Sequence, residues 1–378
     1  MIDNKDFLNI LRKNSIKFFT GVPDSLLKDF LGYLNDNCSH PYHITAANEG
    51  NAIALAIGSY LSSSNIPLVY LQNSGLGNTI NPLLSLADKA VYSVPMILLI
   101  GWRGKPGIKD EPQHFTQGLL TKKILETINI PYLIINNKCS PKEVSEIVEK
   151  AHFEALTNKQ PFAILVEKDT FEKYIPKQKE KIFGNLMSRE EALEICVDHL
   201  KDNDIVVSTT GMLSRELYEI RDKKKQGHSH DFLTVGGMGH ANQIALGIAL
   251  NKKDRNIYCF DGDGALLMHL GSIALNGFLK LKNYKHILFN NKVHDSVGGQ
   301  ATSSQNIVFK DLAKISGYEF YEKTDNKNQL KNFLNEIKGN HKSSFLEIMI
   351  NKGARTDLSR PSSSPKENKD LLMNEINE

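Results

Sequence analysis

Residues 260–300 constrain the fold of this chain more than any other stretch. Residues 256–260 and 286–289 are short, apolar and rich in strand-favouring side chains, and residues 265–279 between them carry apolar residues at helical spacing. Two short strands joined through a helix pair in parallel, so the unit is expected to be β-α-β. Gly262-Asp263-Gly264 then closes the first strand and Asn290-Asn291 the second. Parallel pairing brings Asp263 and Asn291 to neighbouring strand ends.

The same alternation runs through the whole chain. Strands are expected at residues 17–19, 44–46, 68–71, 96–100, 132–135 and 162–166, and again at 205–207, 232–234, 256–260, 286–289, 319–321 and 345–349. Amphipathic stretches such as 25–35, 50–61, 78–86 and 144–155 lie between strands. The fold class is therefore α/β, with two doubly wound domains, each a six-stranded parallel sheet covered by helices on both faces. The first domain is expected at residues 1–175, a linker rich in Lys, Glu, Pro and Gly at 176–187, the second domain at 188–352 and a C-terminal tail at 353–378. Ser188-Arg189-Glu190-Glu191 has the form of a capping box that opens the second domain's first helix. The tail, with Pro361, Pro365 and a charged end, is expected from its composition to be mobile and partly disordered.

Composition removes several classes of function. The 378 residues carry a net charge of only +3, with Lys and Arg scattered among Asp and Glu, which argues against a nucleic-acid partner. Cys38, Cys139, Cys196 and Cys259 lack metal-binding spacing and read as separate reduced thiols of an intracellular protein. The N-terminus lacks the apolar core of a signal peptide, and the most apolar run, 94–100, is far shorter than the roughly 20 residues that span a bilayer. A cytoplasmic protein with no membrane association is expected. No Gly-x-Gly-x-x-Gly follows the first strand, which disfavours a Rossmann dehydrogenase.

The strand ends carry the chemistry. Mg²⁺ prefers oxygen ligands, takes a carboxylate or so from protein and completes its octahedron with phosphate and water. Asp263 offers the charge, the Asn291 side chain a neutral oxygen and the Val293 carbonyl a third ligand. Gly262 and Gly264 admit a pyrophosphate close to the backbone, and the helix that follows turns its amide-rich N-terminus to the same anion. Glu49 follows an early strand and begins an Ala- and Gly-rich helix, where a carboxylate also suits the helix dipole. Asp24, after the first strand, is of a type that caps the next helix. Arg103 and Lys105, with Lys109 close behind, lie on a glycine-rich loop after a strand end, the usual address of a ligand-binding loop in open parallel sheets.

Gly262-Asp263-Gly264 followed by Asn290-Asn291 resembles the pyrophosphate-and-magnesium motif of thiamine diphosphate (ThDP) enzymes. Ala47-Asn48-Glu49-Gly50-Asn51-Ala52, Gln72-Asn73-Ser74-Gly75-Leu76-Gly77-Asn78, Gly101-Trp102-Arg103-Gly104, Asp110-Glu111-Pro112-Gln113-His114 and His294-Asp295-Ser296-Val297-Gly298-Gly299-Gln300 resemble, more narrowly, the phosphonopyruvate decarboxylase family. The similarity runs over nearly the whole chain. It implies a pyrimidine-binding (PYR) domain, a pyrophosphate-binding (PP) domain, no middle domain, and ThDP and Mg²⁺ as cofactors. It implies decarboxylation of 3-phosphonopyruvate to phosphonoacetaldehyde and CO₂, with the cofactor as electron sink.

The same resemblance implies roles for individual residues. Glu49 would face N1′ of the pyrimidine and share a proton with it. Met238, among glycines, would be the wedge that bends the cofactor, with Val22, Thr210, Gly211, Gly262, Gly264 and Ala265 also against it. Asp24, His114 and His294 are the candidates for handling protons; Arg103, Lys105, Lys109 and Asp295 are those for the substrate, with Arg355 in reserve. In such enzymes the two halves of one cofactor site come from different subunits, so a homodimer or larger assembly is expected. Ala265 is a departure, because many ThDP enzymes have Ser there. The rival readings are sulfopyruvate decarboxylase, a carboligase of the acetolactate synthase kind, disfavoured by the missing middle domain, and a catalytically silent ThDP-binding protein, which loss of Glu49 or Asp263 would have supported.

Overall fold

Twelve strands form where the alternation places them, within about two residues at most ends. The structure, a computed structural model, describes residues 1–177 and 186–377. The chain divides into two units, Met1–Glu180 with Val297–Gln300, and Lys181–Ser296 with Ala301–Glu378. Most of the stretch expected to be a linker, 176–187, lies outside the described residues.

The first unit contains β1 (Phe19–Gly21), β2 (His43–Thr45), β3 (Leu68–Gln72), β4 (Ile97–Gly101), β5 (Tyr132–Ile135) and β6 (Phe162–Val166), all parallel, in the order β2-β1-β3-β4-β6-β5. The second contains β7 (Ile205–Ser208), β8 (Asp231–Leu233), β9 (Ile257–Gly262), β10 (Tyr284–Asn290), β11 (Phe320–Thr324) and β12 (Ser344–Met349), ordered β11-β12-β10-β9-β7-β8. Numbered within its own unit, each sheet reads 2-1-3-4-6-5. The direction of winding reverses between the first and third strands, and ligands in such sheets bind at the carboxyl ends beside that reversal.

Both faces of each sheet are buried, which is why the strands are nearly continuous apolar runs. In β4, Ile97 and Leu99 join one core while Leu98 and Ile100 join the core on the opposite face. In β9, Tyr258 and Phe260 face one core and Ile257 and Cys259 the other. The Ser188 capping box forms, its hydroxyl accepting from the Glu191 amide and the Glu191 carboxylate accepting from the Ser188 amide.

Three expectations are corrected. β1 begins at Phe19, so the run 17–19 leads into the strand and only its last residue belongs to it. Residues 265–279 form two helices, Asp263–Met268 and Ser272–Leu279, because His269 leaves the helical conformation (φ −132°, ψ 50°) and stacks on His240 with ring centroids 4.3 Å apart. The tail is ordered. Arg355 pairs with Glu190, Glu219 and Asp357, the Ser359 amide donates to Glu219, and Tyr218 and Ser362 share a hydroxyl bond. A helix, Pro365–Asn377, follows; Asn368 accepts from the Leu233 amide and donates to the Asp231 carbonyl, covering the backbone of edge strand β8. Ser364 and Glu367 form the reciprocal bonds of a capping box, a signal present in the sequence.

Candidate active site

In the first unit the candidate residues gather at the carboxyl ends of β1 to β4. Glu49 is the first residue of the helix Glu49–Ser63, whose N-cap Asn48 accepts from the Gly50 amide. Its carboxylate is 5% exposed and lies against Gly75, where a Cβ would come within 2.3 Å of Oε1. Only glycine leaves room for it there. The Asn78 side chain donates to Oε2 at 2.7 Å. Burial raises the Glu49 pKa above the ordinary carboxylate value, and the Asn78 bond opposes that only in part.

Asp24 is fully buried over Gly101, where a Cβ would lie 1.9 Å from Oδ2. It accepts from the Leu26 amide and from Gln72 Nε2 at 2.6 Å, and Ser74 donates to the other end of Gln72. The helix it was expected to cap begins at Lys28 with Leu27 as N-cap, so Asp24 secures the turn before that helix instead. Burial raises its pKa, against the Gln72 bond and the Arg103 charge. Val22, beside it, is buried.

The basic loop is less open than its sequence suggests. Arg103 forks onto Asp110, with Nε to Oδ2 at 2.8 Å, and donates to Ser25 at 2.7 Å. Burial alone would raise the Asp110 carboxyl, but the Arg103 guanidinium and the Glu111 and Gly104 amides hold it well below the usual range. Lys105 pairs with Glu167 at 2.5 Å, while Lys109 is exposed. His114 is buried, and Nδ1 has no hydrogen-bond partner among the described residues. Burial, aided by the Arg103 charge, lowers its pKa to about 4, so its imidazole is neutral at pH 7.

In the second unit β7 leads to Thr210-Gly211, β8 to Met238, β9 to Asp263 and β10 to Asn291. Asp263 is 2% exposed, with Thr302 Oγ1 at 2.5 Å and Ser304 Oγ at 2.7 Å from Oδ2. Asn291 donates through Nδ2 to Asp295 at 2.7 Å and accepts through Oδ1 from the Val293 amide. Asp295, expected to meet substrate, also accepts from Arg189 at 2.9 Å and from the Gly353 amide. Arg189 is itself buried and bonded to Glu216. His294 packs its ring against Gly264, and burial lowers its pKa to about 4. Ala265 is buried, and the helix it sits in, Asp263–Met268, is only six residues long.

Residues 4–125 match the family described as thiamine pyrophosphate enzyme, N-terminal TPP binding domain, and residues 209–348 match thiamine pyrophosphate enzyme, C-terminal TPP binding domain. The chain is 30% identical to phosphonopyruvate decarboxylase of Streptomyces viridochromogenes, over 97% of this chain and 93% of that protein. This chain belongs to the ThDP-dependent decarboxylase family. Among its relatives are also phosphonopyruvate decarboxylase of Streptomyces hygroscopicus, 31% identical over 97% of this chain and 92% of that protein, and sulfopyruvate decarboxylase of Methanosarcina acetivorans, 26% identical over 92% and 90%. As a member of that family the chain is a carbon–carbon lyase that binds thiamine diphosphate.

The residues present suit thiamine diphosphate and a cation beside its diphosphate. Asp263 is a buried carboxylate with no cationic side chain paired to it among the described residues, an arrangement that is costly unless a cation joins it. Glu49 likewise has no cationic partner there, and a single side-chain donor. Sequence reasoning gave no role to Asn78, Gln72, Thr302, Ser304, Arg189 or Glu216. The motif containing Gln72 and Asn78 was visible, whereas nothing local links Thr302 and Ser304 to an aspartate 39 and 41 residues away.

Proposed function

We propose that this protein catalyses the ThDP- and Mg²⁺-dependent decarboxylation of 3-phosphonopyruvate to phosphonoacetaldehyde and CO₂, a cytoplasmic step of phosphonate biosynthesis. The observation that carries the reading is the buried Glu49 carboxylate with its single side-chain donor. The names of the two Streptomyces relatives support the substrate. When bound, ThDP would supply the electron sink that accepts the bonding pair left on the keto carbon as a 2-keto acid loses its carboxylate as CO₂.

The chain's own residues bind, orient and move protons. Glu49, its pKa raised by burial, would share a proton with a pyrimidine nitrogen of the bound cofactor. Asp263, the Asn291 side-chain oxygen and the Val293 carbonyl hold Mg²⁺, and the loops with Thr210, Gly211, Met238, Gly262, Gly264 and Val22 receive the cofactor. His114, neutral and with Nδ1 unpartnered among the described residues, takes or gives a proton at that atom, with Asp24 and His294 as further acid–base groups.

A phosphonate dianion calls for cationic donors, each charge-assisted hydrogen bond being worth roughly 1.5–3 kcal/mol. A guanidinium has five N–H groups. Arg103 uses three of them on Asp110 and Ser25, which leaves two for the head group on a side chain already held in place. Lys105 and Lys109 are the secondary candidates. Leu55 and Leu61, exposed on the helix that Glu49 begins, suit a homodimer or larger assembly in which Glu49 of one chain serves with Asp263 of another.

A second reading, sulfopyruvate decarboxylase, is supported by the Methanosarcina relative. CO₂ release from phosphonopyruvate, sulfopyruvate and pyruvate, measured in parallel with ThDP and Mg²⁺, separates the two. Preference for phosphonopyruvate is expected. Turnover of sulfopyruvate alone would replace the substrate, and no CO₂ from any of the three would overturn the reading.

A further inference from the structure

Arg103 is held at both ends. Its backbone N–H donates to Asn73 Oδ1 at 3.1 Å and its carbonyl accepts from Asn73 Nδ2 at 2.8 Å, so one side-chain amide pairs with both groups. Asn73 is itself 1% exposed and anchored through Nδ2 to the Thr121 hydroxyl. Asp110 holds the guanidinium. Each of its oxygens accepts twice, once from Arg103 and once from a loop amide: Oδ2 from Nε and Gly104, Oδ1 from Nη2 and Glu111. The loop is tight, since Gly104 has φ +67° and a Cβ there would lie 1.9 Å from the His114 carbonyl oxygen.

With Asp110 and Ser25 bound, Arg103 keeps one N–H on each terminal nitrogen without a partner among the described residues. Two such groups on a planar fork suit two oxygens of a tetrahedral oxyanion, and their worth depends on how well the plane is aimed beforehand. The Asp110 carboxylate fixes that plane. Its charge, however, repels an anion, so orientation and charge oppose each other at this residue. We propose that orientation wins: Asp110 is a positioning residue that acts through Arg103, aiming its two remaining N–H groups and so raising the affinity for the phosphonate head group. The proposal rests on Arg103 being the head-group donor, as read above.

The test is steady-state CO₂ release from phosphonopyruvate by the enzyme loaded with ThDP and Mg²⁺, together with inhibition by 3-phosphonopropanoate. That probe carries both acid groups of the substrate and lacks its keto oxygen. Asp110→Asn keeps the shape but sets an NH₂ group against two of the four donors. It should raise KM and the inhibition constant together by about 10–100-fold, the loss of one aimed charge-assisted bond, with kcat within a few-fold. ThDP affinity by calorimetry should stay unchanged. Arg103→Met should raise both constants at least as far, and Asp110→Asn added to it should change them no further. Tighter inhibition in Asp110→Asn means that charge outweighs orientation and overturns the proposal. So does an unchanged inhibition constant in that variant when Arg103→Met raises it, a result that leaves the Arg103 reading standing. A further loss in the double variant, or parallel losses of kcat and ThDP affinity in Asp110→Asn, would also overturn it by taking the effect away from Arg103. If Arg103→Met alters neither constant, the Arg103 reading falls and the proposal with it.

Discussion

Glu49 and Asp263 are both buried carboxylates at strand ends, one in each unit, and neither has a cationic side-chain partner among the described residues. They differ in their donors. Glu49 lies over Gly75 with one side-chain donor, Asn78, which opposes only in part the burial that raises its pKa. Asp263 has two hydroxyls on a single oxygen; burial raises its pKa as well, but the hydroxyls oppose that and hold the carboxylate in one orientation. Sparse donors suit a group that shares a proton, and a carboxylate fixed by two hydroxyls suits one that meets a metal.

The contrast can be broken by substitution. Glu49→Gln should lower kcat by up to about 10⁴-fold, the upper range for a general acid–base group. Calorimetry should find its ThDP affinity little changed; a matching loss of affinity would erase the distinction between the two carboxylates. Asp263→Asn should do the reverse and weaken Mg²⁺-supported ThDP binding by roughly 10²–10⁴-fold, the ~3–5 kcal/mol of unbalancing a buried charge pair. Retained cofactor affinity in that variant would count against a metal role.

Acid sharpens the comparison from the side of β2, the strand that leads to Glu49. His43 on that strand is buried against the Tyr70 hydroxyl at 3.0 Å, and burial, with His40 nearby, lowers its pKa from 6.5 to about 4. The unfolded chain therefore binds a proton that the folded one refuses between these values, and stability is lost as pH falls through that window. The contribution of His43 is up to about 3 kcal/mol, and urea melts at pH 7 and pH 4.5 should find much of it. His114 and His294, also lowered to about 4, add to the loss over the same window. His43→Gln should therefore make the dependence shallower by its own share, and an equally steep one in that variant would remove His43 from the account.

The smallest effect concerns how the Asn291 amide is held. Asp295→Ala removes the acceptor that fixes Asn291 Nδ2 and leaves Arg189 with Glu216 as its remaining carboxylate partner. Mg²⁺ affinity, read by competition with Mn²⁺ in electron paramagnetic resonance, should fall by about 10–100-fold. Unchanged Mg²⁺ affinity together with a raised KM would return Asp295 to the substrate.

Much of the frame was legible because its causes are local. Apolar runs of strand length, helical spacing between them and the Ser188 box each depend on neighbours within a few residues. The capping box at Ser364 was equally local, but the composition of the tail hid it, and its order comes from Asn368 against β8 and Arg355 against Glu219. The basic loop misled in the opposite way. Arg103 and Lys105 read as open donors until folding brought Asp110 and Glu167 to them.

The sequence by itself determined the two α/β halves, the ends of most strands, and the arrival of Glu49, Asp263 and Asn291 at carboxyl ends, since periodicity and turn chemistry act along the chain. Only the tertiary structure decided the 2-1-3-4-6-5 order of each sheet, the stacking of His269 that splits one expected helix, and the hydroxyls on Asp263. Those depend on which strand ends become neighbours, and that is set by packing between segments tens of residues apart.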